Sequence, residues 1–433
     1  MNREIIALDC ETTGLDMEND RITEIGMALC RGDEVVDTFQ SLVNPEMEIP
    51  AKVVALTGIT NQAVKDAPFM RDMLPEINTF IGDRPIVGHN LRFDLGMLMR
   101  YEVGTHNPII DTYDLASFLL PTAGSYSLGA IVAQMQLTLD NAHRALDDAI
   151  ASWEVYRRLW ALLMEVDLEI LREIMPQAEE LEWNAVLMPL REAIRLRSGD
   201  AEDTPGFHEI TWKKIIPDSQ KAPQRTLHGR WTRLDVEELA HMISADGDLG
   251  QKMPGYEERP SQVTMLRKVT EAFNEGQHTF IEAPTGTGKS LAYLIPAVKW
   301  AKANNTPVVI STHTIALQEQ LMSKDIPFLK NQLGMEFTVA PLMGRSNYLC
   351  PRRLEIMRNR VPASIEELRM MAKTLVWLSQ DGTGVKNDLS LRGSVEYVTW
   401  NRMSAQDEDC TLGQCLVEMG GVCPYHQARR AAE

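Results

Sequence analysis

Basic residues are in short supply in this sequence. Its 433 residues include 43 lysines and arginines against 61 aspartates and glutamates, which gives a formal net charge of −18 at neutral pH. A chain with this charge has no overall electrostatic attraction to nucleic acid. Binding to nucleic acid would therefore require either a local basic groove or metal ions that offset clustered carboxylates.

Long apolar runs are also missing, and so is a secretory leader. No stretch approaches the ~20 apolar residues that a membrane-spanning helix needs, and the opening "MNREIIALD" reaches an aspartate after a few apolar residues. We therefore predict a cytoplasmic protein without a membrane partner. Only six cysteines occur, and in that compartment they are expected to be reduced thiols or metal ligands rather than disulfides.

The chain is long enough for two or three domains, and its residue patterns divide it into four segments. Short β-branched runs alternate with helical periodicity over residues 1–165, which predicts a first α/β domain. Residues 166–230 are predicted to form a helical connector and a linker rich in proline, glycine and aspartate. A second α/β pattern occupies residues 231–345, and residues 346–433 carry most of the cysteines.

Four carboxylates and one histidine of the first domain stand at positions that suit a metal site. Asp9 and Glu11 lie two residues apart in "LDCETTG", so they share one face of a predicted strand. Asp94 closes "HNLRFD" and Asp148 closes "HRALDD", with His143 five residues before Asp148. Clustered carboxylates repel each other unless a cation lies between them, and an all-oxygen set favours Mg²⁺ or Mn²⁺.

These motifs resemble those of the DnaQ-like, DEDDh class of 3′→5′ exonucleases, and they occur in the same order. The resemblance covers residues 1–165 and implies an RNase H-like α/β fold. It also implies two divalent ions per site, both of them bridged by Asp9. Glu11 and Asp148 would complete the coordination of the ion that activates a water, and Asp94 would support the second ion. His143 would take the proton from that water.

Residues beside these motifs are assigned other roles. The resemblance implies that the turn formed by Thr12, Thr13 and Gly14 approaches the terminal nucleotide of the substrate. His89, although it belongs to "HNLRFD", is expected to be structural. Asp111, in "IDTYDLA", is expected to cap a helix.

The sequence "IEAPTGTGKS" predicts a phosphate-binding loop between an apolar strand, "HTFI", and a helix. In such a loop the lysine, here Lys289, reaches the outer phosphates, and the Ser290 hydroxyl ligates Mg²⁺. The pattern A-x-x-G-x-G-K-[ST] resembles that of superfamily-two helicases, and "YEERPSQ" resembles their adenine-reading element. The resemblance implies a RecA-like domain with a further strand at "TPVVIST". It implies an ATP site made of Arg259, Gln262, Ala283, Pro284, Thr285, Gly286, Thr287, Gly288, Lys289 and Ser290.

A second candidate metal set consists of Cys350, Cys410, Cys415 and Cys423. Four thiolates suit either a zinc ion or a [4Fe–4S] cluster, and their spacing alone does not choose between these and plain thiols. Their place in the chain resembles the cluster insertion of DinG-type helicases, which are related to XPD. The resemblance implies an iron–sulfur segment over residues 346–433, with zinc as the alternative.

A helicase motor also needs an acidic Walker B pair after an apolar strand, and no such pair follows the loop. We therefore expect the N-terminal portion of an exonuclease–helicase fusion, with the chain ending before Walker B. Such a portion is expected to bind ATP weakly and not to turn it over.

The leading hypothesis is a metal-dependent 3′→5′ exonuclease that acts on single-stranded or frayed 3′ ends of DNA, in repair or replication. The first alternative is a module that binds nucleic acid and ATP while its nuclease site is vestigial. The second alternative is a proofreading subunit of a polymerase, against which the phosphate-binding loop argues. The sequence does not distinguish DNA from RNA as the substrate.

Overall fold

The computed structural model describes residues 3–138, 142–198, 231–253, 255–406, 410–411 and 423–432. The chain forms two compact units. The first unit comprises residues 1–217 with 344–425, and the second comprises residues 218–343 with 426–433. The boundaries at residues 165, 230 and 345 that the sequence suggested stay predictions.

The first unit is built on a mixed sheet of five strands. Its strands are β1 (Glu4–Thr12), β2 (Ile22–Arg31), β3 (Glu34–Leu42), β4 (Ile86–Gly88) and β5 (Ile109–Asp111). The strand order is β3-β2-β1-β4-β5. Strands β1, β2 and β3 pair antiparallel, whereas β4 runs parallel to both β1 and β5. The predicted α/β fold of the first domain is therefore confirmed, and β1 lies at its centre.

Nine helices accompany this sheet between residues 51 and 198 of the described chain. They are α1 (Ala51–Thr57), α2 (Asn61–Val64), α3 (Met70–Ile81), α4 (Arg92–Met99), α5 (Thr112–Leu119), α6 (Leu128–Gln134), α7 (Ala145–Glu165), α8 (Leu168–Glu180) and α9 (Asn184–Ser198). The long helix α7 packs against β1 and β2. It covers one face of the sheet, whose alternate residues Ile5 and Ala7 share a core with Trp153 of α7. The intervening residues Ile6 and Leu8 face a second core with α3, as strand alternation requires.

The segment that carries the C-terminal cysteines belongs to this same unit. Its helices are α16 (Pro351–Arg358), α17 (Ile365–Ser379) and α18 (Gly393–Met403). Helix α17 packs against α5 and α8, and its Leu375 lies in the same core as Phe118 of α5. A buried ion pair joins Arg358 to Glu173 of α8 at 2.6 Å. Apolar burial and paired charge therefore both attach this segment to the sheet-bearing part.

The second unit is described as helices joined by extended segments. Its helices between residues 231 and 343 are α10 (Val236–Met242), α11 (Asp248–Lys252), α12 (Pro260–Glu275), α13 (Lys289–Asn304), α14 (Ile315–Gln320) and α15 (Ile326–Leu333). The final helix of the chain is α19 (Pro424–Ala432). The strands predicted at "HTFI" and "TPVVIST" are not formed, and Phe280 and Val309 are exposed. A strand needs a neighbour to take up its backbone hydrogen bonds, and these segments have none among the described residues.

Across the described ranges, every helix is too short or too polar to cross a lipid bilayer.

Candidate active site

Strand β1 presents two carboxylates at its C-terminal end. Asp9 and Glu11 lie on the same face of the strand, opposite Gly26 and Glu24 of β2. The third carboxylate, Asp94, lies in the first turn of α4, directly after β4, and is buried. Its Oδ1 accepts a hydrogen bond of 2.9 Å from the backbone N–H of Cys10. This bond ties the start of α4 to the end of β1.

The first turn of α7 lies directly on β2. A β-carbon added at Gly26 would overlap the backbone of Ala145 and Leu146, so only a glycine permits this close approach. Gly26 is the cross-strand neighbour of Asp9. The close packing of α7 on Gly26 therefore places Asp148 near the two carboxylates of β1. Sequence reasoning missed Gly26, and a glycine inside the strand "ITEIGMALCR" was the available signal.

Glu11, His143 and Asp148 form a compact group of potential metal ligands. One ligand atom from each of these three side chains lies within 4.8 Å of the other two. The backbone N–H of His143 donates to Asp148 Oδ2 at 3.2 Å, while Asp148 Oδ1 is buried without a hydrogen-bond partner. A buried carboxylate oxygen without a donor is costly. A cation at this point would satisfy it, so the residues present fit a divalent metal ion.

The carboxylates of the site have raised pKa values. Burial raises the pKa of Asp9 well above its usual range, and the charges of Asp94, Asp148 and Glu11 add to the effect. Burial, together with Asp148 and Glu24, raises the pKa of Glu11 to about 7. Burial raises the pKa of Asp94 to about 8, even though the Cys10 N–H opposes it. The pKa of Asp148 is raised as well, chiefly by burial. The site thus holds negative charge with too little positive charge nearby.

The turn predicted to contact the substrate is held by its own hydrogen bonds. The Thr12 hydroxyl donates to the Gly14 carbonyl at 2.6 Å, and the Thr13 hydroxyl donates to Asp20 Oδ1 at 2.8 Å. Thr13 Oγ1 also accepts from the backbone N–H of Arg21 at 3.0 Å. These bonds fix the backbone beside Glu11, and the substrate role of the turn stays a prediction.

His89 and Asp111 have the structural roles that their positions predicted. The ring nitrogens of His89 lie 2.9 Å from Thr112 Oγ1 and 2.8 Å from the Tyr126 carbonyl oxygen. Burial lowers the pKa of His89 to about 4, so the ring is neutral near pH 7. Asp111 caps α5 by accepting from the Tyr113 N–H at 2.8 Å. It also accepts from the N–H groups of the turn before α4, which positions Asp94.

A second residue that sequence reasoning missed is Glu24 of β2. Its side chain is fully buried and accepts hydrogen bonds from Arg144, Ala145 and Gln40. The available signal was an acidic residue in the otherwise apolar run "ITEIGMALC". Glu24 therefore connects the strand beside Glu11 to the residue that follows His143.

In the second unit, the residues of the predicted ATP site lie together. Arg259 donates to the Gly286 carbonyl at 2.6 Å, and Gln262 donates to the Gly288 carbonyl at 2.9 Å. Both glycines have positive φ angles, of 81° and 77°, which a residue with a β-carbon rarely adopts. Lys289, the first residue of α13, donates to the Ala283 carbonyl at 2.8 Å across the loop. A bond therefore closes the loop across its own ends, and Gln262, the residue expected to contact the base, borders the loop together with Arg259.

The cysteine set is described only in part. Cys350 is buried just before α16, and its N–H donates to the Met403 carbonyl at 2.8 Å. Cys423 is buried just before α19, and Cys410 is partly exposed. Cys415 lies outside the described residues. The iron–sulfur cluster, with zinc as its alternative, therefore stays a prediction.

Two family models match separate stretches of the chain. Residues 6–156 match the family described as "RNase_T: Exonuclease". Residues 260–356 match the family described as "DEAD: DEAD/DEAH box helicase". The first match includes all five residues of the candidate metal site, and the second includes the phosphate-binding loop.

Curated relatives match nearly the whole chain. The 3′-5′ exonuclease DinG of Bacillus subtilis (strain 168) is 28% identical over 418 residues, which cover 94% of this chain and 44% of the relative. The 3′-5′ exonuclease DinG of Staphylococcus aureus (strain USA300) is 26% identical, over 89% of this chain and 42% of the relative. The chain thus spans less than half the length of these relatives.

Two solved structures each match a little over a third of the chain. "Exonuclease X in complex with 5′ overhanging duplex DNA" is 27% identical over 36% of this chain and 90% of that one, with a TM-score of 0.32. Exonuclease I of E. coli in complex with a dT13 oligonucleotide is 18% identical over 37% of this chain and 43% of that one, with a TM-score of 0.33. The chain is thus similar to the DinG 3′-5′ exonucleases, and a stretch that matches the exonuclease family precedes a stretch that matches the DEAD/DEAH box helicase family.

Proposed function

We propose that the first unit is a metal-dependent 3′→5′ exonuclease. One observation carries the proposal: Glu11, His143 and Asp148 converge within 4.8 Å, and a buried oxygen of Asp148 has no hydrogen-bond partner. Asp9, Glu11, Asp94 and Asp148 would hold two Mg²⁺ or Mn²⁺ ions. When bound, such ions supply the positive charge that activates a water and stabilises the leaving 3′-oxygen.

The protein's own residues would position the reactants. Asp94 and Asp148 are held by backbone N–H groups of Cys10 and His143, so the carboxylates are oriented before any ligand arrives. His143 is exposed at the edge of the site, where its imidazole can accept the proton of an attacking water. The turn formed by Thr12, Thr13 and Gly14 would contact the terminal nucleotide of the substrate.

The proposed substrate is the 3′ end of DNA, single-stranded or frayed, in repair or replication. The helicase segment that follows in the same chain supports DNA rather than a small nucleotide as the substrate. The net charge of −18 makes metal ions and local arginines the means of holding the phosphates.

The experiment uses an oligonucleotide labelled near its 5′ end, so that shortening from the 3′ end gives a ladder, together with Mn²⁺. Wild type is expected to produce the ladder, and Asp9→Ala is expected to abolish it, since it removes a carboxylate that would hold the metal ions. The control Asp37→Ala changes an exposed carboxylate on the edge strand β3 and should leave the ladder intact. Equal laddering by wild type and Asp9→Ala, or none by either, would contradict the proposal. DNA binding without laddering would instead favour a binding module.

For the second unit we propose binding of ATP with Mg²⁺ at the loop of residues 283–290. Lys289 would exchange its bond to the Ala283 carbonyl for the outer phosphates, and Ser290 would ligate the ion. Binding of a fluorescent ATP analogue should be lost in Lys289→Ala and retained in Lys302→Ala, which changes the last turn of the same helix. Equal binding by the two variants would refute the assignment.

The cysteine set is proposed to hold a [4Fe–4S] cluster. An anaerobic preparation should absorb near the violet end of the visible spectrum and contain iron in proportion to protein, and Cys350→Ser should lose both. A colourless preparation that contains zinc in the same proportion would establish the alternative.

A further inference from the structure

The residues that follow His143 are attached to the sheet by one buried carboxylate. We propose that Glu24 is a positioning residue for His143, which it acts on through Arg144. The inference rests on the proposed exonuclease function, in which His143 takes the proton from water. The sequence motifs and the set of four carboxylates assign no role to Glu24 or Arg144, and the inference gives both residues one.

Four hydrogen-bond donors converge on the carboxylate of Glu24. Arg144 binds it in a bidentate manner, with Nη2 at 2.6 Å from Oε1 and Nε at 3.1 Å from Oε2. The Ala145 N–H donates to Oε2 at 3.2 Å, and Gln40 Nε2 donates to Oε1 at 2.8 Å. A fully buried carboxylate with a bidentate guanidinium is among the stronger charge-assisted arrangements in proteins. Three of these four hydrogen bonds come from Arg144 and Ala145, at the start of α7.

The second observation is the backbone conformation of His143. Its φ angle is +68°, in the left-handed region that a side chain with a β-carbon disfavours. The next residue, Arg144, returns to extended geometry with φ −120° and ψ 122° and precedes α7. The conformation of His143 persists because its neighbours fix it, and the fixed neighbour on the C-terminal side is Arg144. Release of Arg144 would let His143 relax to a favoured conformation.

The third observation is where Glu24 lies. It is the cross-strand neighbour of Glu11, which lies in one group with His143. A second carboxylate beside Glu11 adds repulsion to a site that is already negative, so its charge does not by itself favour the site. Its contribution is the hydrogen bonds that fix the chain between His143 and Asp148. The Arg144 side chain is 43% exposed, so a variant that releases it can leave the guanidinium in water.

The experiment is a double-mutant cycle of Glu24→Gln with His143→Ala, in the chain of 433 residues with Mn²⁺ and the labelled oligonucleotide. Glu24→Gln keeps the size of the side chain and an acceptor for the Ala145 N–H, but it weakens the bidentate pair. In the wild-type background we expect kcat to fall by about 10- to 100-fold, the cost of misplacing a reacting group, with KM little changed. In the His143→Ala background we expect no further loss, because the two residues act in series.

Arg144→Lys is the second variant, since lysine keeps the charge and loses the bidentate geometry. It should reproduce the kcat loss of Glu24→Gln, and it tests the inference even if Glu24→Gln does not fold. Glu34→Gln, an exposed acid on β3, is the matched control and should behave as wild type. Circular dichroism checks that each variant is folded, and Mn²⁺ titration checks that the carboxylates still bind.

Each outcome has a distinct meaning. Additive losses of Glu24→Gln and His143→Ala would overturn the inference, because Glu24 would then act on something other than His143. A raised KM with unchanged kcat would also overturn it, because Arg144 would then be a substrate contact. Wild type without any activity would refute the proposed function itself, which is a different result from an active wild type with additive losses.

Discussion

At the scale of single residues, the candidate site holds more negative charge than its surroundings stabilise. Asp94 accepts one backbone N–H, and its pKa is nevertheless raised to about 8, chiefly by burial. Glu11 has its pKa raised to about 7 for the same main reason. In the metal-free protein these buried, mutually repelling carboxylates therefore lower the free energy of unfolding. Such a cost in stability is common at functional sites.

This excess charge predicts the effect of Asp94→Asn. The amide keeps an oxygen that accepts the Cys10 N–H and removes the charge. In EDTA near pH 8, the variant should be more stable than wild type by about 1–2 kcal/mol, the range of a favourable single substitution. Exonuclease activity should be lost at the same time. Urea unfolding followed by circular dichroism measures the first effect, and a variant less stable than wild type would contradict the prediction.

The raised pKa values also predict how stability depends on pH. In the unfolded chain Glu11 and Asp94 ionise near pH ~4, whereas in the folded protein they hold their protons until about pH 7 and about pH 8. The folded state therefore binds more protons between these limits, so metal-free stability should fall as pH rises from 5 to 8. Mn²⁺ should raise the melting temperature more at pH 8 than at pH 6. A thermal-shift series with and without Mn²⁺ tests this, and an equal Mn²⁺ effect at both pH values would contradict it.

At the scale of elements, the site depends on how closely α7 approaches the sheet. The contact is made by the backbone of Ala145 and Leu146 over Gly26. Three residues later the same helix presents Asp148, so a displacement of the first turn moves a metal ligand directly.

Gly26→Ala should therefore damage both stability and activity. Its β-carbon would meet backbone atoms, which cannot rotate away, and overpacking of this kind costs about 1–3 kcal/mol. Activity should fall by more than about 10-fold as Asp148 and His143 shift. Gly129→Ala is the matched control, because nothing lies within 4 Å of its β-carbon position in α6. Urea unfolding and the ladder assay measure the two effects, and a fully active Gly26→Ala would contradict the prediction.

At the scale of the whole molecule, the cysteine-bearing segment shares a compact unit with the exonuclease sheet. Helix α17 lies against α5 and α8, and Arg369 pairs with Asp114 of α5 at 2.5 Å. Asp114 also accepts from the Trp183 indole N–H at 2.8 Å. Since these contacts join residues far apart in sequence, the segment and the exonuclease part should unfold together.

Breaking the pair of Arg358 and Glu173 tests this cooperativity. The Arg358 side chain is buried and the Glu173 side chain is only 13% exposed. Arg358→Ala removes the partner of both Glu173 and Glu355 and should cost about 3–5 kcal/mol. The loss should appear as one shifted transition in urea when tryptophan fluorescence and circular dichroism are followed together. Arg195→Ala breaks an exposed pair in α9 and should cost less than about 1 kcal/mol. Two separate transitions would contradict the prediction that the segment and the sheet unfold together, and equal stabilities of the two variants would contradict the stabilising role of the pair.

The sequence by itself determined the chemistry of both candidate sites. Residue type and short spacing are enough to place Asp9 and Glu11 on one face of a strand and to identify a phosphate-binding loop, because local backbone geometry fixes both. The α/β character of the first domain followed from the same local periodicity.

Tertiary structure alone decided how these local pieces fit together. The pair of Glu24 and Arg144 joins residues 120 positions apart, and the contact of Arg358 with Glu173 joins residues 185 apart. The strands predicted at "HTFI" and "TPVVIST" do not form. The reason is related, because a strand needs a neighbouring strand to take up its backbone hydrogen bonds. Burial, pairing and close approach depend on which distant segments meet, and the periodicity of one segment carries no information about its partner.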